Sequence, residues 1–284
     1  MTPPLFISGL SEIADRYDAL LCDAWGVIHN GVALFPGVAE ALTEFRRARG
    51  PVFVLTNAPR PHGVIPGQLD RLGLSRAAYD GVVTSGDATR AAIEGMLPAP
   101  AFKLGPAKDD GLYDGLDVDF APLARAGFII CTGLFDDQRE TPDDYRALLE
   151  DAAARGLPMI CANPDIVVNW GGRMIWCAGA LAELYERLGA RVIYGGKPHA
   201  PIYEVAMAEL PRAAGRPIAK ERTLVIGDGL KTDIAGANAQ GIDALLIAGA
   251  GGVHAGGADA EAIAAALTKA GAHAAYAATG LRWR

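Results

Sequence analysis

Apolar runs of strand length alternate with segments of helical period along most of the chain. The first run, Ala19-Leu20-Leu21-Cys22, delivers a carboxylate, Asp23, to the point where the backbone must turn into Ala24-Trp25-Gly26-Val27. Pro36 to Arg49 carries the marks of a helix: Pro at the start, Val38, Leu42 and Phe45 on one side, arginines near the end and Gly50 as the stop. Pro51-Val52-Phe53-Val54-Leu55 predicts the next strand, ending at Thr56-Asn57. Residues 64–72 predict a helix closed by Gly73, and Gly81-Val82-Val83-Thr84 a third strand. This βαβαβ order implies a parallel sheet with right-handed crossovers.

The last third repeats the pattern. Arg191-Val192-Ile193-Tyr194 predicts a strand ending in Gly195-Gly196-Lys197-Pro198, and a helix runs from about Pro201 to Glu209. Thr223-Leu224-Val225-Ile226 ends in Gly227-Asp228-Gly229, a helix over Thr232–Gln240 stops at Gly241, and Asp243–Ile247 is a further strand. Residues Ala258–Lys269 predict an alanine-rich helix. The middle has its own α/β pattern. Phe128–Cys131 and Pro158–Cys161 predict strands, with a helix over Thr141–Arg155 between them: Thr141 as N-cap, Pro142 at the first position, acids in the first turn. The expected fold class is α/β: a Rossmann-like parallel-sheet core built from residues 1–89 and 189–284, with residues 90–188 inserted as an α/β cap. One continuous sheet stays open as the alternative on pattern alone.

At 284 residues the chain suits one large domain or two modest ones. A net charge of −7 argues against nucleic acid as the main partner, since phosphate backbones favour basic faces. Cys22, Cys131, Cys161 and Cys177 show no CxxC pairing and no histidine-rich neighbourhood, so they are expected as core thiols rather than zinc ligands or a disulfide framework. The start, Met1-Thr2-Pro3-Pro4-Leu5, offers no basic region followed by an apolar stretch, and no run of about 18 apolar residues appears. The chain reads as cytoplasmic, with no membrane partner. The glycines from Gly249 to Gly257 do not make the GxGxxG pattern of a dinucleotide site and are expected as a loop.

Polar residues stand at four predicted strand ends: Asp23, Thr56-Asn57, Lys197, and Asp228 with Asp233 five residues on. In one parallel sheet these ends share an edge, the place where ligands bind in open α/β sheets. Any one alone is more often a turn or cap residue; their joint occurrence in order is harder to dismiss. Asp23 and Asp228 could share Mg²⁺, a hard cation that prefers oxygen. Lys197 could neutralise a phosphate oxygen, and Thr56 and Asn57 could donate to another.

These segments resemble the four motifs of the haloacid dehalogenase-like (HAD) superfamily: Leu21-Cys22-Asp23-Ala24-Trp25-Gly26-Val27, Val54-Leu55-Thr56-Asn57, Lys197-Pro198, and Gly227-Asp228-Gly229-Leu230-Lys231-Thr232-Asp233-Ile234. Thr84-Ser85-Gly86-Asp87-Ala88-Thr89, Ala162-Asn163-Pro164-Asp165 and Gly195-Gly196-Lys197-Pro198 are similar to subfamily IIA, the NagD-like phosphatases with a large α/β cap. The resemblance implies a magnesium-dependent phosphatase of small phosphorylated metabolites, of sugar-phosphate or nucleotide type, with leeway for a homodimer through the cap. Asp23 would be the nucleophile that forms an aspartyl-phosphate. Mg²⁺ would bind Asp23, the backbone carbonyl of Trp25, and Asp228. Asp233 would support the metal shell or pair with Lys197. Thr56 and Lys197 would hold the phosphoryl group, with Asn57 beside them, and the cap would close over the site.

One position departs from the family pattern. Many phosphatases of this type carry a second Asp two residues after the nucleophile, as proton donor and then as base; here it is Trp25. An indole has no useful acidity and its N–H only donates, whereas a backbone carbonyl ligand survives the substitution. Hydrolysis then persists slowly or with good leaving groups, or another group such as His29 substitutes, or the protein binds phosphate esters as a regulatory module without useful turnover. Metal-independent dehalogenation is a further class. In the cap, Asn163, Asp165, Asn169, Trp170 and Arg173 precede a helix beginning near Gly179. Among them Asn163, Asp165, Trp170 and Arg173 are the candidate substrate contacts, Arg173 for an anionic or sugar group and Trp170 for stacking on a ring.

Overall fold

Residues 3–249 and 260–284 are described by a computed structural model. Met1, Thr2, most of the glycine-rich loop and the first two residues of the expected alanine-rich helix lie outside them. The chain runs β1 (Leu5–Phe6), β2 (Ala19–Cys22), α1 (Val38–Ala48), β3 (Val52–Thr56), α2 (Ile65–Arg71), β4 (Gly81–Thr84) and α3 (Ser85–Glu94). It continues through β5 (Ala101–Leu104), β6 (Phe128–Cys131), α4 (Arg146–Ala154), β7 (Met159–Cys161), β8 (Val167–Trp170), β9 (Arg173–Trp176), α5 (Ala178–Arg187) and β10 (Val192–Tyr194). It ends with α6 (Ala200–Ala214), β11 (Thr223–Gly227), α7 (Ala235–Gln240), β12 (Asp243–Ile247), α8 (Ala260–Ala270) and β13 (Tyr276–Ala278).

One sheet has the order β1-β13-β12-β11-β2-β3-β4, parallel throughout. Its strands are apolar without interruption because both faces are covered. Leu20 and Cys22 share one layer with Leu42 and Phe45 of α1. Ala19 and Leu21 face the other way, onto Ile202, Tyr203 and Leu210 of α6. That is the period-two alternation of a strand, and each fully buried Leu, Ile or Phe among them contributes about 1.5–3 kcal/mol. From β2 the chain moves outward through β3 and β4; from β11 it moves the opposite way through β12 and β13. The strand order therefore switches between β2 and β11, where a crevice opens at the carboxyl ends.

The second sheet, order β10-β7-β6-β5, is also parallel, and β8 and β9 form a separate antiparallel hairpin. Tyr145, Leu149, Leu181 and Tyr185 cover one face of this sheet. Ile93, near the end of α3, covers the other with Phe128, Ile130 and Ile160. α3 thus begins on the large sheet and ends on the small one.

Several expectations need correction. Val192–Tyr194 pairs with Met159–Cys161, so this strand belongs to the inserted sheet rather than to the outer one, and the return crossing falls after Tyr194 rather than at residue 188. Its side chains are only half-buried, as suits a sheet edge. Four strand ends therefore do not share one sheet; Lys197 reaches the others from the edge of the second. The stretch 167–176 is a hairpin turned on Gly171 and Gly172, both at positive φ, as a tight hairpin turn requires. The helix expected to end at Glu209 continues through Pro211 to Gly215, which is left-handed. Buried Leu210 holds the added turn against the core. No helix among the described residues is long and apolar enough to cross a membrane.

Candidate active site

Strand register brings the site together. Cys22 lies level with Ile226 on one side and Val54 on the other. Asp23, Asp228 and Thr56 therefore emerge together, one or two residues past those positions. Asp233 arrives on a single turn of π-helix, Leu230–Ile234, that leads into α7. Such turns recur at functional sites. Oxygens of Asp23, Asp228 and Asp233 all lie within 4.8 Å of one another, and the three residues are 7%, 4% and 2% exposed.

Lys197 is the buried cation of the cluster. Its Nζ lies 2.6 Å from Asp23 Oδ1, 2.7 Å from Asp233 Oδ1 and 2.8 Å from the carbonyl of Leu55. The ammonium donates to Asp23 and to the Leu55 carbonyl, and Asp233 Oδ1 faces it as an ion pair. Burial alone would push the ammonium toward losing its proton; Asp23, Asp233 and Asp165 outweigh it and hold Lys197 charged, well above the usual lysine range. Asp23 is pushed up by burial, pulled down by Lys197, and pushed up again by Asp233, Asp228 and Asp165. Negative charge exceeds positive charge here, in a site whose donors are all oxygen. A hard divalent cation fits that set.

Bare backbone makes the room. Gly26 has φ +86°, and a Cβ there would lie 2.3 Å from Asp228 Oδ2. A Cβ on Gly227 would lie 2.2 Å from Asp233 Cβ. Asp233 Oδ2 in turn accepts the Gly229 N–H at 3.0 Å.

Asn57 is held as a bridge. Its Oδ1 accepts the N–H of Lys197 at 2.8 Å, and its Nδ2 donates to the Lys197 carbonyl at 3.1 Å and to Asp165 Oδ1 at 2.8 Å. With those groups engaged, Asn57 positions Lys197 and ties the core to the inserted unit. Thr56 Oγ1 accepts the Ala58 N–H at 3.3 Å, and Asn163 Oδ1 accepts the Asp165 N–H at 3.1 Å. Burial raises the Asp165 carboxyl, against the pull of Lys197 and Asn57.

A cavity of about 640 Å³ stands over these strand ends, between the two sheets. Ala24, Trp25, His29 and Thr56 line it from the core, and Asn163, Asp165 and Trp170 from the inserted unit. Ala24 and Thr56 bring the wall next to Asp23 and Asn57 in the chain, while Asp23, Asp228 and Lys197 are not themselves part of the lining. Arg173 is not part of it; its guanidinium donates to the side chain and carbonyl of Gln138. The wall also holds residues absent from the sequence reading. Arg60 faces Asp109 at 3.6 Å, Lys108 pairs with Asp137 at 2.5 Å, and Trp176 closes the hairpin. Lys108 and Asp109 follow β5, a short strand interrupted by Lys103, with Gly105-Pro106 as the available sequence signal. Gly171-Gly172 between Val167-Val168-Asn169-Trp170 and Arg173-Met174-Ile175-Trp176 signals the hairpin.

His29, one alternative for the missing proton donor, packs against Trp25. It is 2% exposed, and burial pushes it down to about 4. Its Nδ1 accepts the Gly31 N–H at 3.0 Å, which leaves the hydrogen on Nε2. A neutral imidazole of this kind has no readily released proton near pH 7. Its ring meets Trp25 edge-on, centroids 5.0 Å apart, and the Trp25 indole N–H donates to the Asn169 carbonyl at 2.9 Å.

A doubly wound parallel sheet, an inserted α/β unit, and carboxylates at the switch point with a lysine brought in from the insert define a capped α/β hydrolase architecture. The chain belongs to the haloacid dehalogenase-like hydrolases. A family model of that description matches residues 20–106, and a HAD-hydrolase-like model matches residues 194–270. A crystal structure of a haloacid dehalogenase-like hydrolase from Brucella suis 1330 is 43% identical, with a TM-score of 0.89 over 97% of this chain and 100% of the other. D-glycerol 3-phosphate phosphatase of Mycobacterium tuberculosis is 27% identical over 84% of this chain, which spans 65% of that protein's length. A crystal structure of a glycerol phosphate phosphatase from the same organism in complex with magnesium shares the fold, at 23% identity and a TM-score of 0.61 over 85% of this chain and 69% of that one.

Proposed function

We propose that this protein is a magnesium-dependent phosphatase of small phosphorylated metabolites. The observation that carries this reading is the trio of buried carboxylates around the Lys197 ammonium, at the switch point of the sheet and beneath the cavity. Asp23, Asp228 and the backbone carbonyl of Trp25 would hold Mg²⁺, which when bound neutralises phosphoryl charge. Asp23 attacks phosphorus and forms an aspartyl-phosphate; water then releases phosphate and restores the carboxylate. Lys197 favours the ionised form of Asp23 against its burial and stabilises the phosphoryl oxygens, and Asp233 with Asn57 fixes its position. The inserted unit, through Asn163, Asp165 and Trp170, excludes water and contacts the leaving group.

The test is release of phosphate from a panel of phosphate monoesters with and without Mg²⁺, beside Asp23→Asn. Turnover that needs Mg²⁺ and falls at least about 10³-fold in the variant is the expected result. A second reading, binding of phosphate esters without turnover, is favoured by Trp25, which puts no ionisable group where a proton donor belongs. Saturable ligand binding with no turnover above that of Asp23→Asn would establish it instead.

A further inference from the structure

Trp25 makes contacts that the reaction above does not use. Its indole N–H bonds to the Asn169 carbonyl on β8. Five residues along the same core loop, the Asn30 carbonyl accepts the N–H of Gly171 at the hairpin tip, at 3.0 Å. Between them, Gly31 has φ +86°, and a Cβ there would lie 2.4 Å from Trp170 Cδ1 and 2.7 Å from Trp25 Cζ2. The two indoles therefore pack on bare backbone. A Cβ on Gly171 would lie 3.0 Å from Val32 Cγ2. The core loop and the hairpin are clasped at the point where related phosphatases place a proton donor.

Two consequences follow for the ligand. First, a leaving oxygen near position 25 receives no proton from the indole, whose N–H is already given to the Asn169 carbonyl. Second, three indoles, those of Trp25, Trp170 and Trp176, line the cavity, and Trp170 is 43% exposed. Aromatic faces favour planar aromatic ligands.

We propose that the cavity takes aromatic phosphate monoesters whose phenol-type leaving group departs as its own anion, with Trp25 as the specificity-determining residue that also docks the hairpin. This rests on the phosphatase reading above. An Asp23 oxygen bonds to phosphorus, the bond from phosphorus to the aryl oxygen breaks, and both electrons leave with the phenolate, which solvent protonates. Water then adds to phosphorus, the bond to Asp23 breaks with its electrons returning to the carboxylate, and the water proton passes to solvent. One water is consumed for each phenol and phosphate released.

The experiment compares kcat/KM for nitrophenyl phosphate, phenyl phosphate and glycerol phosphate with Mg²⁺, in the unaltered protein, Trp25→Asp and Trp25→Phe. The unaltered protein should strongly favour the aryl esters and lose rate as the leaving group becomes more basic. Trp25→Asp should narrow the gap between aryl and alkyl esters by about 10²–10⁴-fold, the usual worth of general acid–base help. Trp25→Phe keeps a ring but loses the bond to Asn169, so it should raise KM while leaving the dependence on leaving group unchanged. Similar rates on all three esters in the unaltered protein would overturn the proposal and point to another acid, such as Asp165. Equal acceleration of all esters by Trp25→Asp would overturn it as well. If no ester is turned over, the phosphatase reading fails separately, and calorimetry on Asp23→Asn still decides the cavity's preference. Tighter binding of phenyl phosphate than of glycerol phosphate supports an aromatic site, and equal binding refutes it.

Discussion

A lysine with its charge fully buried is stable only if its partners are fully placed, and Lys197 meets that condition through Asp23, Asp233 and the Leu55 carbonyl. Lys197→Met removes the one ammonium and leaves two carboxylates facing each other. Breaking a buried pair from one side typically costs about 3–5 kcal/mol. Urea unfolding without metal should show a loss of that size, and Mg²⁺ should restore more stability to the variant than it adds to the unaltered protein. Equal increments would mean that metal and lysine do not share the same charges. Gly26→Ala tests the other side of the cluster. Left-handed backbone costs a residue with a Cβ about 1–2 kcal/mol, and here the new Cβ would strike the Asp228 carboxylate. Calorimetric titration with Mg²⁺ should show weaker binding in the variant; unchanged affinity would remove Asp228 from the metal site.

At the scale of elements, Asp18 joins three segments ahead of β2. Its carboxylate accepts from Arg222 at 2.9 and 3.1 Å and faces Arg216 at 3.4 Å and Arg49 at 3.6 Å. The hydrogen bonds from Arg222 are the main reason its carboxyl is held down to about 2. A carboxyl lowered in the folded state contributes stability above its unfolded value, about 3.9, and that contribution fades as pH falls toward 2. The side chain is partly solvated, so the effect is modest. Urea midpoints measured between about pH 2 and 5 should therefore slope less in Asp18→Asn than in the unaltered protein; parallel slopes would exclude this cluster as a source of acid sensitivity. The β8–β9 hairpin makes a separate prediction. Gly171→Val forces a branched side chain into positive φ and against Val32, so it should raise KM for esters while leaving Mg²⁺ affinity intact.

For the whole molecule, the proposed metal site links the two ends of the core, since Asp23 and Asp228 lie 205 positions apart in the sequence. A ligand that binds only the folded state stabilises by mass action, by about 2.7 kcal/mol at a hundred times its Kd. Mg²⁺ at that excess should raise the thermal midpoint, and Asp228→Asn should abolish the rise. A rise that persists in the variant would place the cation elsewhere. Asn57 and Trp25 extend the same connection to the inserted unit, one through Asp165 and the other through Asn169. The Gly171 N–H to the Asn30 carbonyl adds a third such bond at the hairpin tip.

Local pattern determined much of this. Uninterrupted apolar runs, the polar residues that end them and the glycines that stop helices follow from short-range physics, and they were sufficient to read the parallel core, Asp23, Thr56, Asp228 and Asp233. Tertiary structure decided what no window of sequence contains. The edge strand Val192–Tyr194 has the same composition in either sheet, and only its pairing with Met159–Cys161 assigns it. Arg173 and Lys108 are both plausible cations for a ligand, yet only the hairpin's placement turns Arg173 toward Gln138 and leaves Lys108 on the cavity wall. Trp25 was visible from the start as a missing proton donor. That it is also an anchor could not be read locally, because its partner carbonyl lies 144 positions away and is brought there by the packing of one unit on the other.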